Sequence, residues 1–183
     1  KASVGFGGSC FQKDILNLVY LCRHYGLEEV AEYWHQVVKI NDYQKERFAQ
    51  KIIDHFGGDL TGKTIAILGW AFKANTNDSR ESAAIYVTEK LYNAGAILEI
   101  YDPKVTPDQI QKDLKFYWKE KSVKSNRISI SSKIPFGNSY AVAILTEWEE
   151  FKDLNFEITS VFDGRNVLNE VFYSIGKQSI SQK

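Results

Sequence analysis

Six residues set the fold class. Thr64-Ile65-Ala66-Ile67-Leu68-Gly69 is an uninterrupted apolar run, too short for a helix and too greasy for a strand with one wet face. Such a run belongs in a parallel sheet covered on both sides. The chain beyond it repeats the theme. Arg80 to Ala94 is an amphipathic helix closed by Gly95, and Ile97 to Tyr101 is a second strand ending at Asp102-Pro103. Thr106-Pro107 caps and starts another helix. Arg127 to Ser131, Tyr140 to Leu145, Val161 to Asp163 and Val171 to Ile175 supply further strands, and the basic stretch Lys112 to Arg127 is read as a solvated loop. Strands alternating with helices predict an α/β fold with a doubly wound, mostly parallel, Rossmann-like sheet.

Upstream of this sheet the pattern is helical. Residues 10–24 form a first helix stopped near Tyr25-Gly26. From Leu27 to Phe56, Val30, Trp34, Val37, Asn41, Phe48, Ile52 and Phe56 recur mostly three or four apart, and Gly57-Gly58 ends the run. At 1.5 Å per residue this is a helix of about 40 Å. With Tyr33, Trp34, Tyr43 and Phe48 along it, the helix carries more apolar surface than a small domain needs. A second subunit or another domain is expected to cover it; packing on the α/β body is the alternative.

Bulk composition removes several classes. The 183 residues hold 23 Lys and Arg against 23 Asp and Glu, a net charge of zero, so neither nucleic acid nor an anionic membrane is expected as a partner. No apolar run is long enough to cross a bilayer. Two cysteines make no disulfide framework, which points to a reducing, cytoplasmic setting. No metal is expected. There is no methionine, and the chain opens at Lys1 inside a glycine-rich loop, so it is expected to be part of a longer protein.

That loop leads into the most reactive-looking residues. In Gly7-Gly8-Ser9-Cys10-Phe11-Gln12-Lys13-Asp14, Ser9 is a good N-cap and Cys10 falls in the first helical turn. Unpaired N–H groups and the helix dipole there favour a thiolate. Lys13 and Asp14 follow at i+3 and i+4, one turn away. A nucleophile, a cation and a carboxylate beside a glycine hinge suit covalent catalysis. An inert cysteine beside a solvated Lys-Asp pair fits the spacing equally well.

The sheet should bind its ligand at the carboxyl ends of its strands. Asp102, closing the second strand, stands where an acid would hold a ribose. The glycine fingerprint, however, is missing: Gly69-Trp70-Ala71-Phe72-Lys73-Ala74 has one glycine where a dinucleotide loop needs three. Lys73, Arg80 and Arg165 instead bring cations to the strand ends, as a phosphorylated ligand requires. Pairing of Arg80 with Asp78 or Glu81, and of Arg165 with Asp163, as turn scaffolding is the competing reading.

Together these segments resemble one family. Lys1 to Asp14, Gly69-Trp70-Ala71-Phe72-Lys73, Asp78-Ser79-Arg80-Glu81-Ser82, Tyr101-Asp102-Pro103-Lys104, Thr146-Glu147-Trp148 and Phe162-Asp163-Gly164-Arg165 are similar, in order, to signatures of the UDP-glucose 6-dehydrogenase family. The resemblance implies two regions: 1–58, a catalytic-loop and central helical dimerisation region, and 59–183, a UDP-sugar-binding α/β domain. An N-terminal NAD-binding domain would be absent from this chain, which alone is then expected to be inactive. It further implies NAD-dependent, two-step oxidation of UDP-glucose to UDP-glucuronate through a cysteine thiohemiacetal and thioester, by a homodimer or higher homo-oligomer built on the long helix. Cys10 matches the nucleophile and Asp14 the carboxylate that positions or activates water, with Lys13 in the same motif. Lys1, Ala2, Ser3, Val4, Gly5, Phe6, Phe72, Lys73 and Arg165 match substrate contacts, while Arg80 and Cys10 match contacts to NAD. A related UDP-N-acetylsugar or GDP-sugar dehydrogenase, or a non-catalytic nucleotide-sugar-binding module, are the alternatives. The chain is shorter than the family pattern between Thr159 and Val161 and between Asn169 and Phe172.

Overall fold

The computed structural model describes residues 2–118, 125–135, 139–156, 160–168 and 173–175. Two helices come first, α1 (Ser9–His24) and α2 (Glu28–His55). The chain then alternates: β1 (Thr64–Leu68), α3 (Ala83–Asn93), β2 (Ile97–Tyr101), α4 (Pro107–Tyr117), β3 (Ile128–Ile130), β4 (Ala141–Ile144), β5 (Ser160–Asp163) and β6 (Tyr173–Ser174). The strands form one sheet in the order β3-β2-β1-β4-β5-β6, and every pairing is parallel. The expected doubly wound sheet is therefore present. Chain direction across it reverses between β1 and β4, and the crevice outside their carboxyl ends is where such sheets place ligands.

Burial explains the order. β1 and β4 are central, and Ile65, Ala66, Ile67, Ala141, Ala143 and Ile144 are wholly buried, as their uninterrupted apolar runs require. α2, about 42 Å long, is divided in its allegiance. Its second half contributes Phe48, Ala49, Ile52 and Ile53 to the core of the sheet. Its first half packs Ala31 and Val38 against Ile15, Val19 and Cys22 of α1 in a separate small core. Phe48, expected to be surplus apolar surface, belongs to the α/β body, and Val30, expected in the buried stripe, is exposed. Tyr33, Ile40 and Tyr43 remain more than 60% exposed.

Several local expectations need correction. Gly8, not Ser9, is the N-cap of α1; Ser9 is the first helical residue, and its hydroxyl makes no cap. α3 starts at Ala83 rather than Arg80, because Ser82 caps it by accepting from the N–H of Ala84 at 3.3 Å. Residues 112–117, expected in a loop, lie in α4, where Ile110, Asp113 and Leu114 are buried. The strand expected over Arg127 to Ser131 is shortened to Ile128–Ile130, following a 3-10 turn at Ser125–Arg127. The places where the chain was expected to be shorter lie largely outside the described residues; of the strand expected over Val171 to Ile175, residues 171–172 lie outside them and Tyr173–Ser174 form β6.

Candidate active site

The site is built on a strap, residues 2–8, laid across the sheet's carboxyl edge and the side of α2. Almost every residue in it is tied down. Asn166 Nδ2 donates to the carbonyl of Ala2 at 2.7 Å, and the N–H of Val4 donates to the carbonyl of Gly164 at 2.7 Å. Gln44 Nε2 donates to the carbonyl of Ser3 at 3.2 Å. Asn41, buried in α2, clamps Phe6 from both sides: its Oδ1 accepts from the Phe6 N–H at 2.8 Å and its Nδ2 donates to the Phe6 carbonyl at 3.0 Å. The N–H of Gly8 then donates to the carbonyl of Arg80 at 2.8 Å. Asn41 was missed because its helical spacing put it in an apolar stripe. The signal available was a polar residue at a buried period, which must find partners.

The strap ends where α1 begins, and two glycines make that junction possible. A Cβ on Gly7 would lie 2.5 Å from the carbonyl oxygen of Glu81. Gly8 has φ 86°, a left-handed value costly for other residues, and a Cβ there would lie 3.0 Å from the ring of Phe72. Cys10 follows in the first turn of α1 and is exposed, with Ser9 Oγ 4.0 Å from its sulfur. The sulfur is not buried among hydrocarbon. Lys13 and Asp14 are also exposed and pair with each other at 3.6 Å.

Arg165 joins the strap to the sheet. Its side chain is only 10% exposed. Nε donates to the carbonyl of Leu145 at 2.8 Å, Nη1 to Ser3 Oγ at 2.9 Å and Nη2 to the carbonyl of Phe72 at 2.9 Å, while Glu147 lies at 3.4 Å. Burial lowers its pKa and the Glu147 carboxylate works against that shift. The expected alternative, side-chain pairing with Asp163, is not what forms: Asp163 accepts the backbone N–H groups of Arg165 and Leu168 instead. Ser3 and Arg165 line two clefts. One, of about 350 Å³, also includes Ala2, Glu147, Lys152 and Asn166. The other, of about 550 Å³, is walled by Phe6, Val37, Ile40 and Gln44.

Phe72 is the hub, its ring against Gly8 and its carbonyl on Arg165. Lys73 Nζ hangs 5.4 Å over that ring and is exposed. Arg80 is 64% exposed and holds Asp78 in a two-pronged pair, Nε to Oδ1 at 2.9 Å and Nη2 to Oδ2 at 2.7 Å. Asp78 favours the Arg80 charge most, and a Cys10 thiolate would add to it. The same pairing holds the Asp78 carboxyl below its usual range. Thus Ala2, Ser3, Gly5, Phe6, Phe72 and Arg165 converge on one region. Val4 does so only through backbone, since its side chain is in the core. Lys1 lies outside the described residues.

Asp102 is spoken for. Its Oδ2 accepts from the N–H groups of Trp70 at 2.7 Å and Ala71 at 2.9 Å and from Trp148 Nε1 at 3.1 Å. Its Oδ1 accepts from Lys104 and Val105, both at 2.8 Å. Trp70, just after the one glycine, is fully buried and donates Nε1 to Asp113 at 2.9 Å, while Ala71 and Ala74 stand where a dinucleotide loop has its second and third glycines. This turn does not fit a dinucleotide: the carboxylate that would meet a ribose is consumed by five N–H donors, and alanines replace two of the three fingerprint glycines. Among the described residues, no three His, Cys, Asp or Glu side chains gather as a metal site. No helix among them is long and apolar enough to cross a membrane.

Arg165→Lys is expected to destabilise the fold by about 2 kcal/mol, since one ammonium cannot satisfy three acceptors spread around a planar fork. Arg80→Lys, in an exposed pair, should leave stability unchanged within error. Urea denaturation of both variants checks the contrast.

Residues 66–170 match the UDP-binding domain of the UDP-glucose/GDP-mannose dehydrogenase family, and residues 1–43 match its central domain. The chain is 51% identical over 180 residues to UDP-glucose 6-dehydrogenase of Bos taurus, covering 92% of this chain and 36% of that protein. It is 46% identical over 204 residues to UDP-glucose 6-dehydrogenase 2 of Oryza sativa subsp. japonica, covering 96% and 42%. It therefore spans about two fifths of the length of these relatives. Among solved structures, a UDP-glucose dehydrogenase from Pyrobaculum islandicum superposes with a TM-score of 0.71 at 30% identity, over 91% of this chain and 36% of that one. A GDP-mannose dehydrogenase from Pseudomonas aeruginosa shares the fold, with a TM-score of 0.75 at 21% identity over 100% and 39%. Sheet order, strap and matching sequence lead to one conclusion: the chain belongs to the UDP-glucose/GDP-mannose dehydrogenase family.

Proposed function

We propose that this chain is the nucleophile-bearing, UDP-sugar-binding part of an NAD-dependent UDP-glucose 6-dehydrogenase that oxidises UDP-glucose to UDP-glucuronate. One observation carries the reading: an exposed thiol opens a helix at the end of a strap fastened through Ser3 to Arg165 and through Gly8 to the turn before α3. A UDP-sugar lying along that strap would have its diphosphate near Lys73 and Arg165, with the sugar C6 toward Cys10. Ala2 to Phe6 then contribute mainly backbone groups and the hydroxyl of Ser3. Phe72 closes the site beneath.

In this reading the sugar C6 is oxidised twice, from alcohol to aldehyde and then to acid. Bound NAD⁺ supplies the hydride acceptor, and Arg80 and Cys10 would face it; the β1 turn cannot hold it, so its main site would lie on another domain. Cys10 Sγ adds to the C6 aldehyde, forming a C–S bond whose carbonyl oxygen takes up a proton as a thiohemiacetal. Oxidation of that adduct gives a thioester. Water attacks the thioester carbonyl, the C–S bond breaks, and the thiol returns with the carboxylate as product. Asp14, one turn from Cys10, accepts the attacking water's proton. Lys13, paired with Asp14, keeps the carboxylate oriented.

Two further readings attach to this. The exposed Tyr33, Ile40 and Tyr43 of α2 form a face for a second copy of the chain, making a homodimer or higher homo-oligomer. Two unpaired cysteines suit the cytoplasm.

In the full-length protein, UDP-glucose should give two NADH per sugar, and UDP-N-acetylglucosamine and GDP-mannose little. Cys10→Ser should lower steady-state acid formation by at least about a thousandfold, a loss of about 4 kcal/mol in transition-state stabilisation. Normal acid production by that variant would refute the nucleophile, and preference for another sugar nucleotide would refute the substrate. Replacing Tyr33 and Ile40 with Glu should shift the sedimentation coefficient to that of a smaller species; an unchanged value would refute the helix interface.

A further inference from the structure

Gly8 N–H, the last backbone donor before α1, bonds to the carbonyl of Arg80, so the position of Cys10 depends on the Asp78–Ser82 turn. That turn is held in an unfavourable shape. Glu81 has φ 54°, in the left-handed region that a glutamate enters only under constraint. Its carbonyl oxygen is the atom that forbids a side chain on Gly7. The constraint comes from two tyrosines. Tyr86 Oη, one turn into α3, donates to Glu81 Oε2 at 2.6 Å, and Tyr117 Oη at the end of α4 accepts from the Glu81 N–H at 3.2 Å. The two rings meet edge to face at 6.2 Å.

Behind Tyr86 stands a buried cation. Lys45 of α2 is 2% exposed, and its Nζ sits 4.3 Å over the Tyr86 ring while pairing with Asp42 at 2.9 Å. Gln12, two residues after Cys10, lines the same cleft as Lys45 and Tyr86. The phenol is thus fixed from the ring face by α2 and at its oxygen by Glu81. Burial and the neighbouring carboxylate both keep it protonated, so it stays a donor.

Resting on the dehydrogenase reading above, we propose that Tyr86 is a positioning residue: its hydrogen bond to Glu81 holds the Arg80–Glu81 turn in the shape that docks Gly7-Gly8 and aims the Cys10 sulfur. It touches neither substrate nor cofactor, and acts on the reaction through the start of α1.

The test uses the full-length protein and three variants. Tyr86→Phe keeps the ring and deletes the donor; Glu81→Gly suits the left-handed backbone and deletes the acceptor; Glu81→Gln keeps an acceptor for the phenol. Tyr86→Phe and Glu81→Gly should each lower kcat about tenfold with KM for UDP-glucose within about twofold, whereas Glu81→Gln should retain most of the rate. In hydrogen exchange followed by mass spectrometry, without substrate, peptides covering residues 2–12 should exchange faster in the first two variants, while those of α2 stay unchanged. A Tyr86→Phe protein with parental kcat and parental exchange over 2–12 would overturn the proposal. So would a rate loss matched by KM or by general loss of protection. If exchange changes as stated but even the parent fails to oxidise UDP-glucose, the dehydrogenase reading fails and the positioning of Cys10 stands.

Discussion

A guanidinium buried at the edge of a parallel sheet holds this site together. Arg165 reaches the end of β4, the loop after β1 and the strap at once, and each of its three nitrogens has a different partner. A planar, permanently charged fork can satisfy acceptors that diverge in this way; an ammonium cannot. Remove that convergence and the strap loses its hold on the sheet at Ser3, leaving it Gly164, Asn166 and the clamp from α2. The chain has buried a charged side chain where three segments must agree on their positions, and Glu147 beside it lessens the cost of holding the charge there.

The same economy explains why the sheet looks like a dinucleotide fold while its β1 turn does not fit a dinucleotide. Its strand order is that of the nucleotide-binding folds, and its second strand ends in an acid as theirs do. Here the acid turns inward. Asp102 organises the Trp70–Ala71 turn and the Lys104–Val105 turn, so that the crevice between β1 and β4 is shaped by protein rather than left open for pyrophosphate. In the proposed reading, the ligand lies instead at the adjoining edge, where strap, Phe72 and Arg165 meet.

Legibility in the sequence followed the kind of force involved. Continuous burial writes itself plainly: Thr64 to Leu68 and Ala141 to Ile144 could be read as central strands because every residue had to be apolar. Helix ends were less legible, since they turn on which of several neighbours supplies a cap. Ser9 and Ser82 are both plausible caps, but only Ser82 has the extended backbone that points its oxygen at the N–H two residues on, that of Ala84. Long-range hydrogen bonds left almost no local trace. Nothing near Asn41 announces a partner 35 residues earlier, and nothing near Tyr117 announces the Glu81 N–H 36 residues earlier. Residue type and spacing singled out Cys10 and Arg165 and resemblance alone singled out Phe72, whereas the contacts that gather them are visible only in three dimensions.

The central claim is that the Cys10 sulfur forms a covalent bond to the substrate. Mass spectrometry of peptides from the full-length protein, quenched in acid during turnover of UDP-glucose with NAD⁺, tests it most directly. The account predicts a UDP-sugar acyl adduct on the peptide containing Cys10, absent when NAD⁺ is omitted and chased away on continued incubation. Full turnover with that peptide unmodified at every time point, or an adduct confined to another residue, would contradict it.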